Sequence, residues 1–368
     1  MEAATPRKRR RWLWLVALAA LSLGAYLGVR QLLDPERLSA FLLRQASDAT
    51  GLAFSSEQPA SVGLWPDLHL ELSGLQAHVP SPPAPVPQLP ARVLRVERLE
   101  VVLPWSALFE DTLVLRRLRL QAPHLDLAAS RAWLAARSDD GPPAPLRLPR
   151  LDTPLVASGG RISHPDGSLA DVNLTLDALR DGEPSVLRLS AIAADAQMQH
   201  RQPFELALGF TPRVAADGLH LDPLRLELAD PVGATTWLQA GGSLLLDHPR
   251  RLRFDLTATL PSWPKSWPPL PLATNDAAKA TLQLQLGFDG TPDARGALAL
   301  QLTRGEERVS GGLELGALTD WFAAPTGTPL PPIRGQLESP RLQFEGVELR
   351  GVRLRLDDSA EARPDAGE

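Results

Sequence analysis

The chain has 368 residues, a length sufficient for one large β domain or two ordinary ones. It contains 38 Lys or Arg and 43 Asp or Glu residues, which give a formal net charge of −5. Five of the basic residues form the run 7–11 and the rest of the chain is acidic, which argues against a nucleic-acid-binding surface. Cysteine is absent, which excludes a disulfide framework and a thiolate metal site.

An uncharged segment near the N-terminus is predicted to cross a membrane. It runs for 18 residues from Trp12 to Val29, and a helix of that length rises about 27 Å, close to the hydrocarbon thickness of a bilayer. The basic run directly before it predicts a cytoplasmic N-terminus and export of everything after about residue 30. The topology residues are Arg7, Lys8, Arg9, Arg10 and Arg11, and the predicted anchor residues are Trp12, Trp14, Leu15, Leu18, Gly24, Tyr26 and Gly28.

Two alternatives apply to this segment. It resembles a cleaved signal peptide at Ala17–Ala19 and Leu23–Ala25, although its apolar run is longer than the usual signal core. Retention as an anchor is therefore favoured. Gly24 and Gly28 form a small-xxx-small pair, which adds the hypothesis of an anchor-mediated dimer.

A short amphipathic helix is predicted next. Asp34-Pro35-Glu36 supplies an N-cap, a proline at the first helical position and an acid at the positive end of the dipole. The helix continues to Thr50, and Gly51 is placed to end it in the left-handed conformation.

Beyond Gly51 the apolar residues recur with period two, which is typical of strands with one buried face. Leu68, Leu70 and Leu72 are an example, and the pattern reaches Leu356. Phase slips at Glu97-Arg98 and Arg116-Arg117 shift the apolar face by one residue, as bulges or tight turns do. Turn formers between the runs, including Asp181-Gly182 and Asp289-Gly290, predict antiparallel connections.

Few helices and two proline-rich loops interrupt these strands. Helical turns are predicted at Pro104–Glu110, Ala129–Arg137 and Gly316–Ala323, and extended loops at Pro80–Pro90 and Pro261–Pro271. The predicted fold class is therefore mainly β, with a transmembrane helix and a short amphipathic helix followed by an elongated, curved, mostly antiparallel sheet. The sheet forms either an open groove or a sandwich.

No catalytic, cofactor or metal site is predicted. The sequence contains no phosphate loop, nucleophile elbow or cluster with metal-ligand spacing. The seven histidines are scattered, and His164-Pro165-Asp166, where a His has a close acid, is explained by turn chemistry. We therefore expect a protein that is not an enzyme.

The first third of the chain resembles the AsmA family. The matching motifs, in order, are Leu64-Trp65-Pro66-Asp67-Leu68-His69-Leu70, the strand Ala91–Leu99, the short helical element Pro104–Phe109, and the phrase Pro123-His124-Leu125-Asp126-Leu127. The segment Gly335–Leu356 is similar to the family's C-terminal strand pattern. The chain departs from the family by being short, by its Pro80–Pro90 insertion, and by lacking a glycine-rich link to Asn-Trp after the last phrase.

The resemblance implies an inner-membrane anchor, a periplasmic bulk, and a role in outer-membrane assembly, phospholipid transport and the targeting of proteins to membranes. It favours the groove over the sandwich, with phospholipid acyl chains and envelope proteins as partners. The candidate lipid-facing residues are Leu68, Leu70, Leu72, Leu94, Val96, Leu99, Val101, Leu118 and Leu120. The implied organisation is a basic tail (1–11), the anchor (12–33), an AsmA-like region (34–128), a β-rich region (129–356) and an acidic tail (357–368).

Two other functions compete with lipid binding. A non-enzymatic periplasmic scaffold of a secretion or assembly machine is the alternative, since N-type proteins of type II secretion systems share the layout of an anchor followed by β structure. A tethered hydrolase would need a convergent polar site, which the sequence does not contain.

Overall fold

The computed structural model describes residues 40, 43–44, 47, 50–63, 65–80, 91–108, 113–136, 148–165, 167–195, 201–232, 235–247, 251–263, 280–291, 295–316, 333–344 and 347–356. The predicted basic tail, the anchor, the acidic tail and most of both proline-rich loops lie outside these residues. Within them, no helix combines the length and the apolar character that crossing a bilayer requires.

The described chain is mainly strand. The strands are β1 (Ala53–Ser56), β2 (Ser61–Gly63), β3 (Leu68–His78), β4 (Arg92–Leu103), β5 (Val114–Leu115), β6 (Arg117–Gln121), β7 (His124–Asp126), β8 (Arg150–Leu151), β9 (Leu155–His164), β10 (Gly167–Leu176), β11 (Ser185–Asp195), β12 (Arg201–Ala215), β13 (Gly218–Asp230), β14 (Thr235–Asp247), β15 (Arg251–Leu260), β16 (Leu282–Gly290), β17 (Gly296–Arg304), β18 (Glu307–Glu314), β19 (Ile333–Phe344) and β20 (Val347–Leu356). The helix α1 spans Leu127–Ala136, and a 3₁₀ helix spans Trp105–Leu108.

Eighteen of these strands form one curved, mixed sheet. At one end β1 and β2 both pair with β3, which pairs with β4, which pairs in turn with β6 and β7. From β9 to β20 each strand pairs antiparallel with the next, so this part is a continuous meander. The prediction of a mainly β, mostly antiparallel sheet is confirmed at this level.

Two parallel pairings depart from the simple meander. Both β6 and β7 run parallel to β9, and the small pair β5–β8 is also parallel. Parallel neighbours need a crossover connection, which α1 and the chain after it supply between β7 and β9. The boundary predicted at residue 128 falls inside α1, and the sheet continues across it.

The described helical elements agree with their sequence signals, and the helical turns predicted at Gly316–Ala323 lie almost entirely outside the described residues. Residues 40, 43, 44, 47 and 50 are helical, and Gly51, with φ of 69°, donates its N–H to the carbonyl of Ser47 at 2.7 Å, as expected of a helix end. In α1 the N-cap is Asp126, whose Oδ1 accepts the backbone N–H of Ala129 at 2.9 Å.

A line of left-handed residues creases the sheet across its first strands. Gly74, Ala122, Gly159 and Asp171 have φ of 65°, 46°, 64° and 51°. Gly74 lies opposite Glu97, where the alternation of β4 slips, yet the pairing of β3 with β4 keeps its register across this point. At the crease each strand shifts its alternation by one residue, so the apolar side chains on both sides of it share one face. The slip predicted at Glu97-Arg98 therefore marks the line along which the sheet bends.

Two packed clusters of buried residues lie at this end of the sheet, while further buried residues such as Leu224, Leu260 and Leu282 lie in its later strands. One cluster joins Ala60, Leu70, Leu72, Leu75 and Val96, with Leu43 of the N-terminal helical turns packed against it. A second joins Leu52, Ala77, Val93 and Ala129, with Trp133 of α1 packed against it. The helical segments thus cover the apolar face of β3 and β4.

Candidate functional site

The strand register aligns aliphatic side chains into a continuous row across the sheet. Residues directly opposite one another in paired strands point to the same face. Fifteen strands each contribute one member to what we call the aliphatic row, which consists of Leu70, Val101, Leu118, Leu155, Leu176, Leu187, Leu208, Leu226, Ala240, Ala258, Leu284, Leu302, Val309, Leu337 and Leu354. Since strands are spaced about 4.8 Å apart, the row follows the sheet for about 67 Å.

Further apolar residues widen this face in its later strands. Leu256, Leu286 and Leu300 are cross-strand neighbours that form a second line beside the aliphatic row. Beyond them Phe254 and Phe288 stack with ring centroids 5.3 Å apart and an interplanar angle of 23°. The apolar face is therefore a band several residues wide.

The opposite face of the sheet is polar and carries ion pairs. Arg98 pairs with Glu71, and Glu100 lies 3.4 Å from Arg117 and 3.7 Å from Arg119. These pairs are exposed and contribute little stability. Their placement identifies the solvent-exposed polar face of the sheet.

One outer ion pair between β15 and β16 shifts the titration of its members. Arg251 donates to both carboxylate oxygens of Asp289 at 2.6 Å. This hydrogen bond is the main reason that the pKa of Asp289 lies below its ordinary value and that of Arg251 above its own. Arg253 adds a second positive charge 3.5 Å from the same carboxylate.

Burial along the aliphatic row changes from one end to the other. Leu70 is 6% exposed, because the clusters described above cover it. From β9 to β19 most members are only partly buried, and Leu354 on β20 is 43% exposed. Partial burial is what a single layer gives, since a side chain is flanked by cross-strand neighbours but has no second sheet above it. Both clusters of mutually packed buried residues in the described chain lie at the other end.

All nine predicted lipid-facing residues lie on this apolar face. Leu68, Leu70, Leu72 and Val96 are buried in the covered part, at 5%, 6%, 4% and 0% exposure. The remaining five, Leu94, Leu99, Val101, Leu118 and Leu120, are partly buried. Beyond them, on β10 to β20, most members of the aliphatic row are only partly buried, although Ala258 of the row and Leu260, Leu282 and Phe288 beside it are buried. The signal for it was present as alternate leucines, but alternation does not reveal which part of a face a helix covers.

No metal-ligating group emerges from the described residues: no three His, Asp or Glu side chains come close enough together to hold an ion. His164, at the end of β9, has its Nε2 3.5 Å from an Arg131 nitrogen. Asp166, the acid close to His164 in the sequence, lies outside the described residues.

Comparison with known proteins adds no family to this description, since no protein-family model and no curated protein matches the chain. The resemblance to the AsmA family stays a prediction from the ordered motifs of the first third.

Proposed function

We propose that this chain is an AsmA-type protein, anchored in the bacterial inner membrane with its bulk in the periplasm, that binds phospholipid acyl chains along an open apolar groove. In this role it supports outer-membrane biogenesis by carrying lipid, and thereby influences protein targeting to the membrane. The observation that supports the proposal is the aliphatic row, most of whose later members are only partly buried.

Acyl chains suit this face because of its chemistry. The row is entirely aliphatic, so it offers a long path without the steps that large aromatic side chains would create. Each methylene of an acyl chain that leaves water on such a face contributes about 0.8 kcal/mol. The opposite face of the same sheet is polar and can stay solvated, as an open groove requires.

Neighbouring positions of one strand provide a direct test. In the full chain expressed in a Gram-negative host, a photoreactive amino acid replaces Leu284 of the aliphatic row, and in a second variant Gln285, which is exposed on the opposite face. Illumination should crosslink phospholipid at position 284 and not at 285, as read by mass spectrometry of the purified protein. Absence of lipid at both positions, or equal labelling of both, would refute the proposal.

One feature of the sheet supports the scaffold alternative. Within the described residues β20 pairs with β19 alone, and its Leu349 and Leu354 are each 43% exposed. An edge strand with unpaired backbone groups is a template for a strand of another protein. A crosslink from position 284 to a protein instead of a lipid would favour this function.

A further inference from the structure

Two exposed tryptophans and a leucine lie at one end of the first strands. Trp65 is 90% exposed, Leu113 57% and Trp105 40%. Trp65 lies just before β3, Trp105 follows β4 after Pro104, and Leu113 directly precedes β5. The indole N–H of Trp105 donates to the carbonyl of Pro66 at 3.1 Å, which joins the two loops. We call these three residues the aromatic tip.

From this geometry we propose that the aromatic tip inserts into the interface of the phospholipid bilayer that holds the anchor. The proposal rests on the membrane anchoring proposed above and adds a second contact to it. Tryptophan favours the boundary between headgroups and acyl chains, because its ring is apolar and its N–H is polar. In Trp105 that N–H already has an acceptor, so its ring can leave water without stranding a donor.

The described helical turns before Gly51 run toward the same end of the strands. Leu43 packs against the cluster of Leu70 and Leu72, near the start of β3. Thr50 lies toward the other end, where its carbonyl accepts the indole N–H of Trp133 at 3.0 Å. Followed backwards from Thr50 to Leu43, the chain therefore heads toward the aromatic tip, and the predicted anchor precedes these turns.

The charges beside the tip are compatible with an approach to lipid. Arg116 forms an ion pair with Asp67, the residue that follows Pro66. Pairing reduces the desolvation that an isolated carboxylate would suffer near headgroups. The exposed guanidinium of Arg116 can still contact lipid phosphate as the tip inserts.

The absence of cysteine permits a site-specific test in the full chain. Ser106→Cys places an environment-sensitive fluorophore beside Trp105. The matched control is Val232→Cys, because Val232 is 84% exposed but lies in the β13–β14 turn, at the opposite ends of the strands. In proteoliposomes of phosphatidylethanolamine and phosphatidylglycerol, nitroxide-labelled phospholipid should quench the label at 106 several-fold more than the label at 232. Equal quenching at the two positions would overturn the proposal.

A second variant separates insertion from mere proximity. Trp65→Ser combined with Trp105→Ser in the Ser106→Cys background should reduce quenching to the level of the control, whereas Trp133→Phe should leave it unchanged. Quenching that survives loss of both indoles would refute the role of the tip. If the double variant fails to fold by circular dichroism, the comparison of positions 106 and 232 in the otherwise unchanged chain still decides the proposal.

A membrane contact at the aromatic tip can be absent while the anchor and the lipid-binding groove are present. Co-flotation with liposomes reports the anchor, and lipid crosslinking at Leu284 reports the groove. An unquenched label at 106 in a chain that floats and crosslinks lipid would eliminate the tip alone.

Discussion

Truncating Leu284 distinguishes an open face from a sealed core. Leu284 belongs to the aliphatic row on β16 and is partly buried between Ala258 and Leu302, its cross-strand neighbours. Leu72 lies on the same face but is 4% exposed within a packed cluster. The comparison of Leu284→Ala with Leu72→Ala holds the chemical change constant and varies only the cover above the side chain.

The expected effects differ by the cavity that truncation leaves. In a packed core, Leu→Ala loses the transfer free energy of the removed atoms and leaves a cavity, for a total of about 2–5 kcal/mol. On an open face no atoms above the side chain lose contacts, so only the transfer term remains, about 1–2 kcal/mol. We therefore expect the free energy of unfolding to fall by about 1.5 kcal/mol for Leu284→Ala and by about twice that for Leu72→Ala.

Urea unfolding of the full chain in detergent, followed by circular dichroism, measures both values, with a Gln285→Ala variant as the control on the exposed face. The slope against urea must stay unchanged for the comparison to report stability. A loss at Leu284 equal to that at Leu72 would mean that the row is sealed by a second layer, and the groove proposal would fail with it.

Three further changes test the local arguments. Gly351→Ala should lower the free energy of unfolding in urea titrations by about 1 kcal/mol, because φ of Gly351 is 63° and only this angle, not a lack of space, opposes a methyl group. Gly312→Ala is the control and should be near neutral, because Gly312 has no positive φ. Asp289→Asn should make the stability of the fold less sensitive to acid. Arg251 lowers the pKa of Asp289 in the fold, so the stability that this carboxylate contributes is present above the ordinary carboxyl pKa and is lost as the pH falls through the folded value. Urea midpoints measured at decreasing pH will show the difference between the two chains. Asp126→Ala should cost about 1 kcal/mol by removing the N-cap of α1, again measured by urea.

Local periodicity was sufficient to predict the β character of the chain and many of its strands. Alternate leucines predicted the strands because each strand of a single sheet buries one face, and that signal needs no knowledge of partners. The end of the N-terminal helical turns at Gly51 and the existence of α1 followed from capping residues and composition. The slip at Glu97-Arg98 was visible for the same reason, and the structure explains it by Gly74 opposite.

Pairing and cover were not predictable from those signals. Nothing in the composition of β6, β7 and β9 distinguishes a parallel neighbour from an antiparallel one, since the decision lies in the crossover through α1. The nine candidate residues all lie in the AsmA-like region. That region is where Leu43 and Ala129 pack onto the sheet, so the resemblance pointed to the most covered part of the face.

Charges on the apolar face show where that face ends. Arg304 and Glu307 lie opposite one another at the β17–β18 turn, on the side of Leu282, with side chains only 10% and 13% exposed. The Ser339 hydroxyl donates to the carbonyl of Arg341 at 2.7 Å and lies 3.3 Å from the carboxylate of Glu307. Such a buried pair adds little net stability, because desolvation offsets the attraction. If acyl chains occupy this face as proposed, the pair would mark the rim of their path, since a hydrocarbon gains nothing from covering paired charges. The aliphatic row, one register step or more inside this rim, is thereby the path along which a lipid would move.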